Sequence, residues 1–197
     1  QFDCAAAPAA PGPLQSQKAA ADLVRLTWAA PTSGERPTTF ILEAGTGEGK
    51  HSKLFEHYLG GLQKYAPMAM AFFAPNVNSY RRLALGQIAP INVQWGIDNR
   101  SCGLRVPISN ASGRRIENRL AGADANPYLA IAGSLLCGYL GVTERLKPTN
   151  QIEGSAYRMA HTLPKTAHEA LSKFLACKPV KGLLGERFVK ALYIVKS

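Results

Sequence analysis

Apolar residues recur at helical spacing over long parts of the chain. This spacing predicts helices over residues 15–30, 52–73, 127–141 and 168–174, and the start of another over 188–195. The third helix has a defined beginning, because Asn126 is a typical N-cap and Pro127 is tolerated at the first helical position. A short apolar run after a turn-rich segment predicts a strand over residues 38–42.

Two further segments alternate between polar and apolar residues, which is typical of half-buried strands. In residues 102–106, Arg105 lies out of phase with the apolar positions. In residues 115–120, the charged positions are Arg115, Glu117 and Arg119. Successive side chains of a strand point to opposite faces, so each segment places its charged residues on one face. If the turn over residues 109–113 pairs these strands, the three arginines and the glutamate meet.

Such a group of charges has two interpretations. It is either a set of solvated arginines on the outer face of a half-buried hairpin, or a site for anionic oxygens and a metal ion. Arginine binds phosphate and carboxylate through paired hydrogen bonds, and a carboxylate can hold a divalent ion. We favour the second interpretation, because a single glutamate among arginines suits a metal that bridges to anionic oxygens better than it suits a solvated face.

The composition limits other classes of function. A length of 197 residues allows one sizeable core or a fragment of a larger protein. The formal charge of +10 would favour nucleic acid as a partner, but the basic residues form no run with interleaved aromatics, so we expect none. The four cysteines form no Cys-x-x-Cys pair, which indicates reduced thiols in the cytoplasm instead of a zinc site. The longest apolar stretch, residues 128–142, is too short for a membrane span, and we expect no membrane partner.

The glycine-rich residues 44–51, Ala-Gly-Thr-Gly-Glu-Gly-Lys-His, match a phosphate-binding P-loop only in part. The first glycine of that motif falls on Ala44, and its magnesium-binding hydroxyl falls on His51. We therefore do not predict a P-loop here. The four histidines of the chain are expected to be ordinary surface or helix residues.

Five motifs follow one another between residues 78 and 128: Asn78-Ser-Tyr-Arg-Arg82, Asn99-Arg100, Arg105-Val-Pro, Arg114-Arg-Ile-Glu-Asn-Arg119 and Ala125-Asn-Pro-Tyr128. Together they resemble the catalytic domain of glutamine synthetases. The closest resemblance is to the branch that joins glutamate to putrescine or other polyamines. It is nearly continuous over residues 54–196 and patchier before them, where we expect parts of the family pattern to be missing ahead of residue 52.

The resemblance implies an α+β fold with a curved, mostly antiparallel sheet and helices packed outside it. Residues 1–197 would then form one glutamine-synthetase-type catalytic domain in fragment, because the family also has a small upstream domain and a longer C-terminal end. Cytoplasmic homo-oligomers are implied as well. The expected assembly is a ring, a dodecamer, with each active site at a subunit interface.

The resemblance also implies the reaction. The γ-carboxylate of glutamate attacks the γ-phosphorus of ATP, and an amine then attacks the γ-glutamyl phosphate. ATP and Mg²⁺ or Mn²⁺ are the implied cofactors. The implied site residues are Arg82 and Arg119 for glutamate, Arg100, Arg105 and Arg115 for ATP, and Arg100 with the metal ligand Glu117 for catalysis.

Two positions depart from the family pattern. Asp3 stands where the family has a metal-binding glutamate, and its shorter carboxylate leaves two readings open, a metal ligand or a loop aspartate. Ile88 stands where ammonia-using members carry a glutamate that helps to bind and deprotonate ammonium. Isoleucine cannot act as a base, but it can line a channel for the methylene groups of a larger amine.

Three functions therefore stand against one another. The predicted function is ATP-dependent ligation of glutamate to putrescine or another polyamine, and Ile88 favours it over glutamine synthesis from ammonia. The third possibility is a catalytically silent structural relative. Asp3 and the lack of a counterpart for the family's metal-binding histidine favour this third possibility, whereas the complete set of arginines opposes it.

Overall fold

The computed structural model describes residues 15–20, 23–27, 45–46, 50–84, 88–110 and 113–196. The chain divides into two units, Gln1–Thr38 and Thr39–Ser197. In the first unit, strand β1 (Gln15–Ala20) pairs antiparallel with strand β2 (Leu23–Thr27). The helix predicted over residues 15–30 is therefore wrong. Apolar spacing alone does not separate a helix from a strand in so short a segment, and β-branched Val24 favours an extended backbone.

The second unit begins with a small hairpin in the glycine-rich segment. Strand β3 (Gly45–Thr46) pairs antiparallel with strand β4 (Lys50–His51), with Gly45 opposite His51. A P-loop connects a strand to a helix, whereas this glycine-rich segment pairs two strands with each other. The structure therefore agrees with the mismatch of the P-loop motif at Ala44 and His51. The strand predicted over residues 38–42 lies outside the described residues.

Helices make up most of the rest of this unit. Their bounds are α1 Lys53–Tyr65, α2 Met70–Phe73, α3 Pro127–Thr143, α4 Ala167–Ala176, α5 Lys178–Leu184 and α6 Glu186–Lys196, with 3-10 helices at Ala66–Met68, Val77–Arg81 and Ala156–Arg158. The predicted start of α3 is confirmed, because the side chain of Asn126 accepts hydrogen bonds from the first turn and Pro127 follows it. The pattern did not predict α5, whose only buried residue is Val180.

Helices α1 and α3 approach closely because glycines line their contact. A Cβ atom on Gly141 would overlap the carbonyl oxygen of His57 and lie 2.5 Å from the Cα atom of Gly61. One turn earlier, Gly138 leaves room for the ring of Tyr58. The core around this contact is apolar, and its largest fully buried side chains are Phe55, Phe72, Phe73, Phe174, Leu59, Leu62 and Met70.

A three-stranded sheet packs on this helical core. Strand β6 (Leu104–Val106) lies in the centre, parallel to β5 (Trp95–Ile97) and antiparallel to β7 (Glu117–Asn118). The turn after β5 is tight, because Asp98 adopts a left-handed conformation with φ of 47° and the Asn99 side chain accepts two hydrogen bonds from within the turn.

The α+β class predicted from the motifs is confirmed, and three of the four strand pairings in the described residues are antiparallel. The one parallel pair, β5 with β6, was not predicted. Within the described ranges, no helix is both long enough and apolar enough to cross a membrane.

Candidate active site

Arg105 and Glu117 face each other across the pair β6–β7. The register places them opposite each other, and Nη1 of Arg105 donates a hydrogen bond of 2.6 Å to Oε2 of Glu117. On the other face of β6, Leu104 and Val106 are buried. The predicted alternation is therefore confirmed: apolar residues enter the core, and the charged residues of both strands share the opposite face.

Arg119 extends this contact into a chain of three charged side chains. Its Nε lies 3.5 Å from Oε1 of Glu117, and its Nη1 donates to the carbonyl oxygen of Cys102 at 3.3 Å. Only 17% of the Arg105 side chain and 18% of the Arg119 side chain are exposed. The arginines are thus largely covered, unlike the solvated residues of the alternative interpretation. Burial raises the pKa of the Cys102 thiol to about 11, against the influence of Arg119.

A second carboxylate, Asp98, binds the same guanidinium. Nε and Nη2 of Arg105 both donate to Oδ1 of Asp98, the first at 3.1 Å. The hydrogen bond to Asp98 is the main cause that raises the pKa of Arg105, and the one to Glu117 adds to it. Sequence reasoning missed Asp98. The available signal was an aspartate, a residue type that tolerates a left-handed turn, two positions before Arg100.

Arg100 is exposed and lies apart from the three-residue chain. It lines a groove of about 660 Å³ together with Asp98, Asn99 and Glu153. Asp98 both lines this groove and binds Arg105, so the groove adjoins the charged face of the sheet. A ligand in the groove would therefore lie beside Arg100 and beside Asp98, the carboxylate that binds Arg105.

The fourth residue of the predicted group, Arg115, contacts the preceding loop, where its Nη1 donates to the carbonyl oxygen of Gly113 at 3.0 Å. Asp3 lies outside the described residues. In the part of the chain that the structure describes, no three His, Cys, Asp or Glu side chains are grouped so that they could hold a metal ion. Both oxygens of Glu117 are also close to arginines. The described residues alone therefore do not fit a metal centre.

Arg82 follows the 3-10 helix Val77–Arg81. Its Nη2 donates to the carbonyl oxygen of Leu120 at 2.5 Å, and its Nε is buried with no hydrogen-bond partner among the described residues. Burial lowers the pKa of Arg82, Asp124 acts against this, and Arg119 lowers it further. Two arginines that repel each other beside an unpaired donor are an arrangement that a bound carboxylate would stabilise.

Ile88 follows residues 85–87, which lie outside the described part. Its side chain is 84% exposed, and its carbonyl oxygen accepts a hydrogen bond from the hydroxyl of Tyr157. The isoleucine is therefore tethered through its backbone while its apolar side chain faces outward. Its predicted role in amine binding stays a prediction.

The arrangement as a whole is suited to anionic substrates. Arg105 and Arg119 are held by carboxylates and by a backbone carbonyl, so their forks are oriented before a ligand arrives. Arg82 adds positive charge near Arg119, and Arg100 adds positive charge in the groove beside Asp98. Preorganised guanidinium groups can stabilise charge that develops during phosphoryl or acyl transfer.

Comparison with known proteins adds independent findings. The family model of the glutamine synthetase catalytic domain matches residues 38–197. A glutamine synthetase of Thermococcus kodakarensis is 39% identical over 148 residues, which cover 71% of this chain and 33% of the relative. Gamma-glutamylputrescine synthetase PuuA of Escherichia coli is 37% identical over 152 residues, covering 76% of this chain and 32% of the relative.

A glutamate–isopropylamine ligase of a Pseudomonas species is 38% identical over 146 residues, with 72% of this chain and 32% of the relative covered. The chain thus spans about a third of the length of the curated relatives it matches. Two of the three names state an amine, and the amines differ: putrescine in one and isopropylamine in the other.

Proposed function

This chain belongs to the glutamine synthetase family through its catalytic domain, and we propose that the whole protein joins the γ-carboxylate of glutamate to an amine in an ATP-dependent reaction. Family membership agrees with the resemblance predicted from the motifs. The relatives are named glutamine synthetase, gamma-glutamylputrescine synthetase and glutamate–isopropylamine ligase, so formation of an amide from glutamate is the coarse reaction class that these names share. The identity of the amine is the finer part of the proposal.

The observation that carries the proposal is the chain Arg105–Glu117–Arg119 with Arg82 beside it. The reaction brings two anions together, since a carboxylate oxygen of glutamate must attack the γ-phosphorus of ATP. Their mutual repulsion has to be offset before they can approach. Guanidinium groups in a largely covered site do this without any proton transfer.

Each arginine takes a proposed role from its position. Arg82 and Arg119 bind glutamate, and the buried, unpaired Nε of Arg82 is a donor available to a carboxylate. Arg100, which lines the groove, and Arg105, whose partner Asp98 lines it, hold the phosphates of ATP together with Arg115, which precedes β7 by two residues. The phosphorylated γ-carboxylate is then attacked by the amine nitrogen, and phosphate leaves with one carboxylate oxygen.

Glu117 remains a proposed ligand of Mg²⁺ or Mn²⁺, which in this family neutralises phosphate charge. It is insufficient alone, so the other ligands would have to come from residues outside the described part, such as Asp3. The arginines account for the binding and charge stabilisation described above.

A polyamine such as putrescine is the amine that we propose, and Ile88 supports it. An exposed apolar side chain six residues after Arg82 can contact methylene groups, at roughly 0.8 kcal/mol for each one buried. It cannot accept a proton from ammonium. Glutamine synthesis from ammonia is the second candidate, which the relative from Thermococcus keeps open. A cytoplasmic homo-oligomer, a dodecamer, completes the proposal.

The test is a turnover measurement on the full-length protein with Mg²⁺. Phosphate release should require glutamate, ATP and an amine together, and should be faster with putrescine than with ammonium. Faster turnover with ammonium would replace the polyamine by ammonia. No turnover with any amine, in a preparation that binds ATP, would favour the silent structural relative.

A further inference from the structure

We propose that Asp124 is a positioning residue for Arg82 and thereby sets the affinity for glutamate. The inference rests on the proposed function, because Arg82 is proposed to bind that substrate. It concerns the contact between two segments, residues 73–82 and residues 120–124. Neither the motifs nor the family comparison assigns a role to Asp124.

Asp124 is held by the segment that leads to Arg82. Its Oδ2 accepts hydrogen bonds from Oγ of Ser79 at 2.5 Å and from Nδ2 of Asn76 at 3.1 Å. Oγ of Ser79 also accepts a hydrogen bond of 2.9 Å from the backbone nitrogen of Asn76. The start of the 3-10 helix Val77–Arg81 is thus closed on itself and fixed to Asp124.

Asp124 and Arg82 face the same point above Gly122. A Cβ atom on Gly122 would lie 2.5 Å from Oδ1 of Asp124 and 3.4 Å from both Nε and Nη2 of Arg82. The glycine therefore leaves open the space between the carboxylate and the guanidinium, across which they attract each other. The influence of Asp124 on the pKa of Arg82, upward against burial, agrees with this geometry.

The backbones of the two segments are tied together as well. The backbone nitrogen of Gly122 donates a hydrogen bond of 2.9 Å to the carbonyl oxygen of Phe73. In addition, Nη2 of the Arg82 side chain donates a hydrogen bond of 2.5 Å to the carbonyl oxygen of Leu120. Arg82 is then oriented by Leu120 on one side and attracted by Asp124 on the other. A long side chain that is ordered beforehand loses less entropy when its ligand binds. Asp124 should therefore affect glutamate binding and leave ATP binding unchanged.

The first test is Asp124→Asn, which keeps an oxygen acceptor of the same shape and removes the charge. We expect the KM for glutamate to rise about threefold to tenfold, as for a partly exposed charge pair, with little change in kcat or in the KM for ATP. The matched control is Glu144→Gln. Like Asp124, Glu144 accepts a hydrogen bond from a hydroxyl, that of Tyr65 at 2.5 Å, and it also accepts one from Nζ of Lys64 at 2.7 Å. The Glu144→Gln variant should leave the KM for glutamate unchanged.

A second variant and a double-mutant cycle test whether Asp124 acts through Arg82. Gly122→Ala keeps the charge, but its Cβ would push the carboxylate away, so it should also raise the KM for glutamate. In an Arg82→Lys background, Asp124→Asn should have little further effect. Additive effects, or a KM for ATP that rises as much as that for glutamate, would overturn the proposal.

Amide hydrogen exchange separates this inference from the proposed function. Peptides covering residues 76–82 should exchange faster in Asp124→Asn than in the wild type or Glu144→Gln, whether or not the protein is active. Unchanged exchange would contradict the positioning role. Absence of glutamate-dependent turnover in the wild type would instead reject the proposed function. The exchange result would still show whether Asp124 orders residues 76–82.

Discussion

Oε2 of Glu117 and Nη1 of Arg105 are 2.6 Å apart on adjacent strands, and the guanidinium of Arg105 is bound from its other side by Asp98. Arg105 therefore binds two carboxylates. A phosphate that binds this arginine must compete with them, since both make charge-assisted hydrogen bonds of the same kind. Glu117 also lies between Arg105 and Arg119, so it offsets the repulsion between those two cations.

Glu117→Gln should abolish glutamate-dependent phosphoryl transfer while the protein stays folded. The amide keeps the size of the carboxylate but loses the charge that orders two arginines and could hold a divalent ion. Steady-state turnover and circular dichroism of the full-length protein measure the two effects. Near wild-type turnover would remove Glu117 from the site, and loss of folding would give it a structural role.

Asp98→Asn is the matched comparison for that variant. It removes the other carboxylate from Arg105 and leaves Glu117 in place. Turnover should fall less than in Glu117→Gln, because Asp98 is ion-paired with Arg105, whereas Glu117 contacts both Arg105 and Arg119. Equal losses in both variants would indicate that the effect comes from Arg105 alone.

Arg119→Ala should impair the use of glutamate far more than the use of ATP. Its Nη1 and Nε are oriented by Cys102 and Glu117, and the proposed bidentate contact with the α-carboxylate would be lost. The measurement is the KM for each substrate. Arg81→Ala, on an exposed arginine in the neighbouring helix, serves as the control. An unchanged dependence on glutamate would reject the assigned role.

The sequence predicts the structure correctly where the structure is determined by residues that are close together in the chain. The cap at Asn126 and the alternation around Arg105 and Glu117 depend on local periodicity, and both predictions are confirmed. Strands β1 and β2 differ from the helix predicted for residues 15–30, because short segments with mixed patterns satisfy both periods.

Contacts that depend on a turn or on the tertiary structure could not be predicted in this way. Asp98 reaches Arg105 through a left-handed turn, and Asp124 meets Ser79 across 45 residues of sequence. Neither acid belongs to a periodic pattern, and both depend on the tertiary structure. The roles of Arg100 and Arg115 likewise remain predictions, since only a bound ligand would define them.

Gly141→Ala should destabilise the fold. Its Cβ would overlap the carbonyl oxygen of His57, so helices α1 and α3 would have to separate, at a cost of about 1–3 kcal/mol or more. Gly182→Ala is the control, because a Cβ there meets nothing within 4 Å and α5 should gain roughly 0.5–1 kcal/mol. Denaturant unfolding compares the two. Equal midpoints would show that the helices do not depend on this close contact.

Ile88→Glu should shift the amine preference towards ammonium. A carboxylate at this loop could stabilise the ammonium ion and accept its proton, whereas contact with methylene groups would be lost. The quantity to measure is the ratio of kcat/KM for putrescine to that for ammonium. Ile194→Glu, on an exposed apolar residue of α6, should leave the ratio unchanged. The same ratio in Ile88→Glu and wild type would remove Ile88 from amine selection.

The most direct measurement follows an oxygen atom of glutamate. The full-length protein would be incubated with ATP, putrescine and glutamate in which both oxygens of the γ-carboxylate are 18O. In the proposed reaction a carboxylate oxygen attacks the γ-phosphorus and leaves with phosphate when the amine attacks the acyl carbon. We expect one labelled oxygen in each phosphate released, together with the γ-glutamyl amide. Phosphate without label, or no glutamate-dependent phosphate with putrescine, ammonium or other amines, would contradict ligation through γ-glutamyl phosphate.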